Sequence, residues 1–319
     1  MIGVIGAGAF GTALALTQAA RSGPVVLWGR DGAMMARIGQ ERENTAHLPG
    51  VPLPATVRVT SDLDAFAGAG VILLSIPTQA LRRFLTDHGA SLAGATLVAC
   101  CKGVERGTGL LPTQIITDVV PEARTAVLTG PSFAADIGRG KPTALTFATA
   151  LPDGATLQER LSTPTLRLYL SDDPIGAQLG GALKNVIALA AGMVIGADLG
   201  ESARAALMTR GFSELVRLAT AQGAHPETLW GLSGFGDLIL TCSSEKSRNF
   251  SYGIAFAQGR ADLLHGKTVE GVMTAHAVSE QGADMDLPVI HMVSALLKGD
   301  ISVPKAMDTL LGRPLKSER

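Results

Sequence analysis

The stretch Met1-Ile2-Gly3-Val4-Ile5-Gly6-Ala7-Gly8-Ala9-Phe10-Gly11-Thr12-Ala13-Leu14-Ala15-Leu16 opens the chain, and its order decides the fold. An apolar run ends in Gly-x-Gly-x-x-Gly and passes at once into a helical pattern, the strand-turn-helix that receives a dinucleotide. Gly6 permits the tight turn, Gly8 lets a pyrophosphate approach the backbone, and Gly11 packs helix on strand. The amides at the start of the helix, around Ala9 and Phe10, meet the phosphates.

Outward from this stretch, short runs rich in Val, Ile and Leu at 2–5, 25–28, 71–76, 97–100, 125–128 and 143–148 alternate with helical patterns up to about residue 170. Strand-helix-strand units of this kind build a parallel sheet. The Pro-rich loop 44–54 interrupts the rhythm. After Asp173 the segments 175–195, 202–222, 252–257, 269–281 and 289–297 all read as helices. The expected architecture is α/β: an N-terminal Rossmann-like doubly wound sheet over residues 1–173, then a mostly α-helical C-terminal domain over 174–319. No flexible linker separates the two, so they should enclose a rigid cleft, a common place for a ligand.

Composition narrows the function. With 319 residues, 46% hydrophobic and 17% charged, the chain can bury two cores and is not disordered. Lys and Arg number 27 against 28 Asp and Glu, a net charge of -1, so the positive field that nucleic acid demands is missing. No nucleic-acid partner is expected. Cys100, Cys101 and Cys242 cannot form a disulfide framework, which fits a reducing compartment. The N-terminus lacks a basic region ahead of its apolar residues, and the apolar stretch 186–197 is shorter than a bilayer crossing. A cytoplasmic protein without stable membrane insertion is therefore expected. The six histidines are dispersed without zinc spacing, so no metal is expected, and His276 and His291 read as structural. Ser75 lacks a Gly-x-Ser-x-Gly turn, which argues against an acyl hydrolase.

Three positions suggest chemistry. At the end of the second strand, Trp28-Gly29-Arg30-Asp31 places Arg30 where an acid usually meets the ribose 2'-hydroxyl of NAD. A guanidinium suits a 2'-phosphate, favouring NADPH; the other reading, with Arg30 solvated and Asp31 on the ribose, keeps NADH open. Lys184 lies in an apolar helical run, where burial would lower its pKa and allow proton exchange near neutrality; alternatively it snorkels to water. Lys102 follows a strand at its carboxyl end, where open parallel sheets bind ligands, unless it is a solvated loop charge.

The segments Cys101-Lys102-Gly103-Val104-Glu105, Gly130-Pro131-Ser132-Phe133-Ala134, Gly181-Ala182-Leu183-Lys184-Asn185-Val186, Gly234-Phe235-Gly236-Asp237-Leu238, Ser247-Arg248-Asn249-Phe250 and Thr268-Val269-Glu270-Gly271 follow the opening motif in order. Together they resemble the bacterial NAD(P)-dependent glycerol-3-phosphate dehydrogenases over nearly the whole chain. The resemblance implies an oxidoreductase that reversibly reduces dihydroxyacetone phosphate to sn-glycerol 3-phosphate for glycerophospholipid synthesis, with NADP or NAD as cofactor, and acting as a homodimer. It assigns Lys184 the proton transfer, Lys102 charge stabilisation at the carbonyl oxygen, and Asp237 the holding of the catalytic ammonium. A helix N-cap is the local alternative for Asp237. Arg248 and Asn249, with Ser247 beside them, would grip the phosphate, and Gly130 and Ser132 would contact substrate; Thr241, four residues after Asp237, would share its helix face and offer a hydroxyl to the substrate if this segment is helical. Ala134, Arg248, Thr268 and Glu270 match positions near the cofactor, as does Lys102. The chain departs from the family at Phe250-Ser251, where a further Arg is common, and at Glu201, where Asn is frequent.

Two other readings compete. A related two-domain hydroxy acid dehydrogenase or ketoacid reductase would carry a carboxylate substrate on the same scaffold. A non-catalytic nucleotide sensor would keep the glycines yet have no use for Lys102, Lys184 and Asp237.

Overall fold

The computed structural model describes residues 1–260, 269–312 and 314. Eight strands form one sheet: β1 (Ile2–Ile5), β2 (Val25–Trp28), β3 (Val57–Thr60), β4 (Val71–Leu74), β5 (Thr96–Ala99), β6 (Arg124–Thr129), β7 (Thr143–Ala148) and β8 (Leu166–Ser171). Their order is 3-2-1-4-5-6-7-8. The first six are parallel; β7 runs antiparallel to β6 and parallel to β8. The helices α1 (Ala9–Ser22), α2 (Gly32–Glu41), α3 (Thr78–His88), α4 (Pro112–Val119), α5 (Ala134–Gly138) and α6 (Gly154–Leu161) connect them. Because helices cover both faces, β1, β2, β4 and β5 are buried along their whole length, which is why they read as apolar runs, Thr96 at the start of β5 excepted. The strand order reverses between β1 and β4, so the crevice beyond their carboxyl ends is where such a sheet takes a ligand.

The doubly wound sheet followed by helices is the fold class read from the sequence. Two strands escaped that reading. β3 shows only two valines and has just its first residue buried; β8 alternates, with Leu166 and Leu168 buried while Arg167 and Tyr169 are exposed. Both lie at the edges of the sheet, where one-sided burial weakens the apolar signal.

The second half comprises α7 (Pro174–Gly196), α8 (Glu201–Ala221), α9 (Pro226–Trp230), α10 (Asp237–Cys242), α11 (Arg248–Ala257), α12 (Glu270–Gln281), α13 (Pro288–Lys298) and α14 (Val303–Leu311), with one π-helical turn at Leu232–Gly236. Asp173 starts α7: its carboxylate accepts from the Gly176 amide at 2.7 Å, and Pro174 takes the first helical position. Near its start α7 rests on the sheet, where Ala177 packs with Val127 and Ala148. Farther along it is enclosed by α8, α10, α11, α12 and α13. Leu183, Val186, Ile187 and Leu189 are fully buried, each contributing about 1.5–3 kcal/mol.

The length of α7 corrects the one read from the apolar stretch 186–197. The helix is 23 residues long, with a mean hydropathy of 1.6 in its most apolar window, and is therefore long and apolar enough to cross a bilayer. Yet 89% of that window is buried inside the protein. Helix α7 is predominantly apolar all round because the sheet and other helices enclose it, with Gln178, Lys184 and Asn185 as its buried polar exceptions.

Candidate active site

The dinucleotide turn has the geometry its glycines require. Gly6 has φ +111°, and a Cβ there would lie 2.4 Å from the carbonyl oxygen of Ser75. A Cβ at Gly11 would lie 1.9 Å from the Gly6 carbonyl oxygen, so α1 can sit this close to β1 only without one. Around Gly8, by contrast, a Cβ would meet nothing within 4 Å. That open space borders the N-terminus of α1, whose first turn carries no acidic residue. Open backbone beside a helix N-terminus is the chemistry that a pyrophosphate needs, so the turn fits such a group.

Arg30 is exposed just beyond β2. Its neighbour Asp31 caps α2, with Oδ1 accepting from the Met34 amide at 3.0 Å. One carboxylate oxygen of Asp31 is thus committed to the helix.

Lys102 leaves β5 on a braced loop. Arg82 donates to both oxygens of the buried Glu105 at 3.0 and 2.9 Å, and Gln79 donates to the Val104 carbonyl at 2.8 Å. The Arg82 guanidinium holds the Glu105 carboxyl below its ordinary pKa. From this loop the Lys102 ammonium reaches Oδ2 of Asp237 at 2.6 Å and the Gly130 carbonyl at 3.2 Å. Ser132 Oγ donates to the same carbonyl at 3.2 Å.

The other Asp237 oxygen meets the helical half. Lys184, midway along α7, donates to Oδ1 at 2.7 Å and to Thr241 Oγ1 at 2.6 Å, while the Thr241 hydroxyl bonds Asp237 Oδ1 at 3.2 Å. Local backbone explains the arrangement. The π turn lies so close to α7 that a Cβ at Gly180 would be 2.9 Å from the Ser233 carbonyl, and positions 237 and 241 share one face of α10. Gly236 is the N-cap of α10, so the Asp237 side chain is not spent on capping. Nor does Lys184 snorkel: its side chain is 8% exposed.

Electrostatics sharpen the picture. Burial pushes the Lys184 pKa down to about 8, aided by the Lys102 charge and opposed by Asp237. For Asp237 burial acts upward, but the two ammonium groups outweigh it and leave the carboxyl below its ordinary value. An ammonium has three hydrogens. Lys184 spends two, leaving one without an acceptor among the described residues.

The remaining expected residues lie around this cluster. Ser247 caps α11, accepting from the Phe250 amide at 3.3 Å. Arg248 is the first residue of that helix, exposed and without a hydrogen bond among the described residues. Asn249 donates to Asn185 Oδ1 at 2.9 Å and accepts from the Gly271 amide at 3.0 Å, tying α11 to α7 and α12. Glu270, at the start of α12, is half-buried; burial raises its pKa against the pull of Arg248, Lys102 and Lys184. Ala134 begins α5. Thr268 lies outside the described residues.

Lys102, Gly130, Ser132, Lys184, Asp237 and Thr241 thus form one hydrogen-bonded cluster, with Asn249 beside it. The sequence assigns Asn185 no role of its own; an amide inside an apolar helical run is the signal that marks it. His276 and His291 bond Ser294 and Ser279 at 3.0 Å each, linking α12 and α13. Among the described residues no cluster of His, Cys, Asp or Glu could hold a metal ion.

Two family models match. Residues 1–154 match the NAD-dependent glycerol-3-phosphate dehydrogenase N-terminus, and residues 173–308 match the C-terminus of the same family. The chain is 54% identical over 321 residues to a glycerol-3-phosphate dehydrogenase (NAD(P)+) of Ruegeria sp. (strain TM1040), covering 99% of each chain. It is equally identical to its namesake in Cereibacter sphaeroides, covering 100% of both. The crystal structure of glycerol-3-phosphate dehydrogenase from Coxiella burnetii superposes with a TM-score of 0.92 at 34% identity, covering 98% of each chain.

Proposed function

The chain belongs to the NAD-dependent glycerol-3-phosphate dehydrogenase family, and we propose that the Lys102–Asp237–Lys184 cluster is where it reduces dihydroxyacetone phosphate to sn-glycerol 3-phosphate. The observation that carries this reading is the buried Lys184 ammonium with one N–H unspent among the described residues. Reduced NAD or NADP, when bound, supplies the hydride that adds to C2 of the ketone. Lys184 then donates its free proton to the oxygen that becomes an alkoxide, and its pKa near 8 keeps it protonated at neutrality yet willing to give the proton up. Lys102 adds a second positive charge beside that oxygen. Asp237 and Thr241 hold the amine in one orientation and return it to its place after each transfer. In the oxidative direction neutral Lys184 takes the hydroxyl proton.

The open ground at Gly8 and the exposed Arg30 support nucleotide seating on α1 and β2, with Arg30 facing a 2'-phosphate. Arg248, exposed at the start of α11, suits the terminal phosphate of the substrate. We place the boundary between the sheet domain and the helical domain at Asp173, where the last strand gives way to α7.

The test is a nicotinamide absorbance assay. NADPH and NADH should be consumed only when dihydroxyacetone phosphate is present, with the lower KM for NADPH; no consumption, or equal consumption with a 2-keto acid, rejects the reading. Arg248→Ala should raise the KM for dihydroxyacetone phosphate about 30-fold, the equivalent of one charge-assisted bond of about 2 kcal/mol. An unchanged KM removes Arg248 from phosphate recognition.

A further inference from the structure

The loop that interrupts the strand-helix rhythm closes on itself. Leu53 donates to the Arg42 carbonyl at 2.7 Å, Arg42 Nε returns a bond to the Leu53 carbonyl at 3.2 Å, Glu43 bridges to Pro52, and the Gly50 amide reaches Glu43 Oε1 at 2.8 Å. Leu48, Val51 and Leu53 are buried in the core beneath the sheet. Leu48 lies so near α5 that a Cβ at Gly138 would be 2.8 Å from its Cδ2. At the base of the loop Asn44 is completely buried, and its backbone carbonyl accepts from both His47 and Leu48. Its side chain points at the dinucleotide turn. Nδ2 donates to the Ala7 carbonyl at 2.9 Å and to Thr12 Oγ1 at 2.8 Å. A carbonyl can only accept, so the bond to Ala7 fixes which end of the amide faces the turn. Its Oδ1 is buried without a partner among the described residues.

We propose that Asn44 is a positioning residue for nucleotide binding: it spends both amide hydrogens on the turn that flanks Gly8, tying that turn through the strap of residues 42–53 to α5, where Ala134 lies. Ala7 precedes Gly8 and Thr12 follows Gly11, so the two bonds span the bend on which the phosphates would rest. Such a bend has no polar side chain of its own to tie it down; a buried amide outside it supplies the restraint before any nucleotide arrives.

This inference rests on reading residues 6–11 as the dinucleotide site, and the experiment separates the two. NADPH and ADP-ribose are titrated against the full-length protein by fluorescence or calorimetry, without triose phosphate. Failure of the unaltered protein to bind either would reject the nucleotide site itself. With binding established, Asn44→Asp, equal in shape but without the two hydrogens, should weaken both ligands at least tenfold. The KM for NADPH should rise in step while kcat at saturation falls less than threefold, a split that general loosening of the fold would not produce. Equal affinity in the variant overturns the proposal. Should Asn44→Asp fail to fold, Thr12→Val removes one of the two acceptors and is read the same way: a threefold or larger loss of affinity supports the role, and none overturns it.

Discussion

Lys184→Ala is expected to lower kcat by about 10³-fold or more while leaving NADPH binding intact. General acid catalysis alone contributes about 10²–10⁴-fold, and here the same ammonium also supplies charge in a site nearly closed to water. The pH dependence identifies the group. The Lys184 pKa is pushed down to about 8, and ketone reduction needs the protonated form, so its rate should hold below pH 8 and fall above it. Oxidation of glycerol phosphate needs the neutral amine, so its rate should rise through the same pH. Both limbs should vanish from the residual activity of the variant. A variant that keeps wild-type turnover, or a wild-type profile flat across pH 7–9, would rule out Lys184 as the proton carrier.

Asp237→Asn should damage both stability and chemistry. The carboxylate is the shared partner of two ammonium groups, at 2.6 and 2.7 Å. Removing one partner from a buried ion pair typically destabilises by about 3–5 kcal/mol, because the remaining charge is left uncompensated; Lys102 keeps some access to water, so the lower end applies. Of the influences on Lys184, burial and Lys102 push its pKa down while Asp237 raises it. Without Asp237 the pKa must drop below 8, so the high-pH limb of reduction should move toward acid and activity at pH 7 should decline. Thermal unfolding and the pH–rate profile measure the two effects separately. An unshifted limb would show that Asp237 does not hold the amine.

Much of this was legible in the sequence because it is written locally. Strand, turn and helix at residues 2–16 announce themselves through adjacent residues, and β1, β2, β4 and β5 are apolar but for Thr96 because both their faces are covered. Edge strands β3 and β8 carry half that signal. The short elements between Pro226 and Cys242 were equally hidden: α9 and the π turn span five residues each, too few to display a helical period. Lys184 stood out as a charge in an apolar helix. That Asp237 would meet both it and Lys102, 53 and 135 residues distant, depends on the packing of the π turn against Gly180, which no local pattern encodes. The role of Asn44 within its loop is hidden for the same reason, since its partners lie 37 and 32 residues back in the chain.

Asp237 takes one lysine from the loop after β5 and the other from α7, so a single carboxylate acts as a rivet between the two lobes. Burial is what chiefly makes Lys184 acidic, and the Lys102 charge that the rivet holds nearby adds to it. The amine is readiest to release its proton while carboxylate, second ammonium and dry surroundings are all in place, so the acidity of one side chain is a property of both halves of the chain at once.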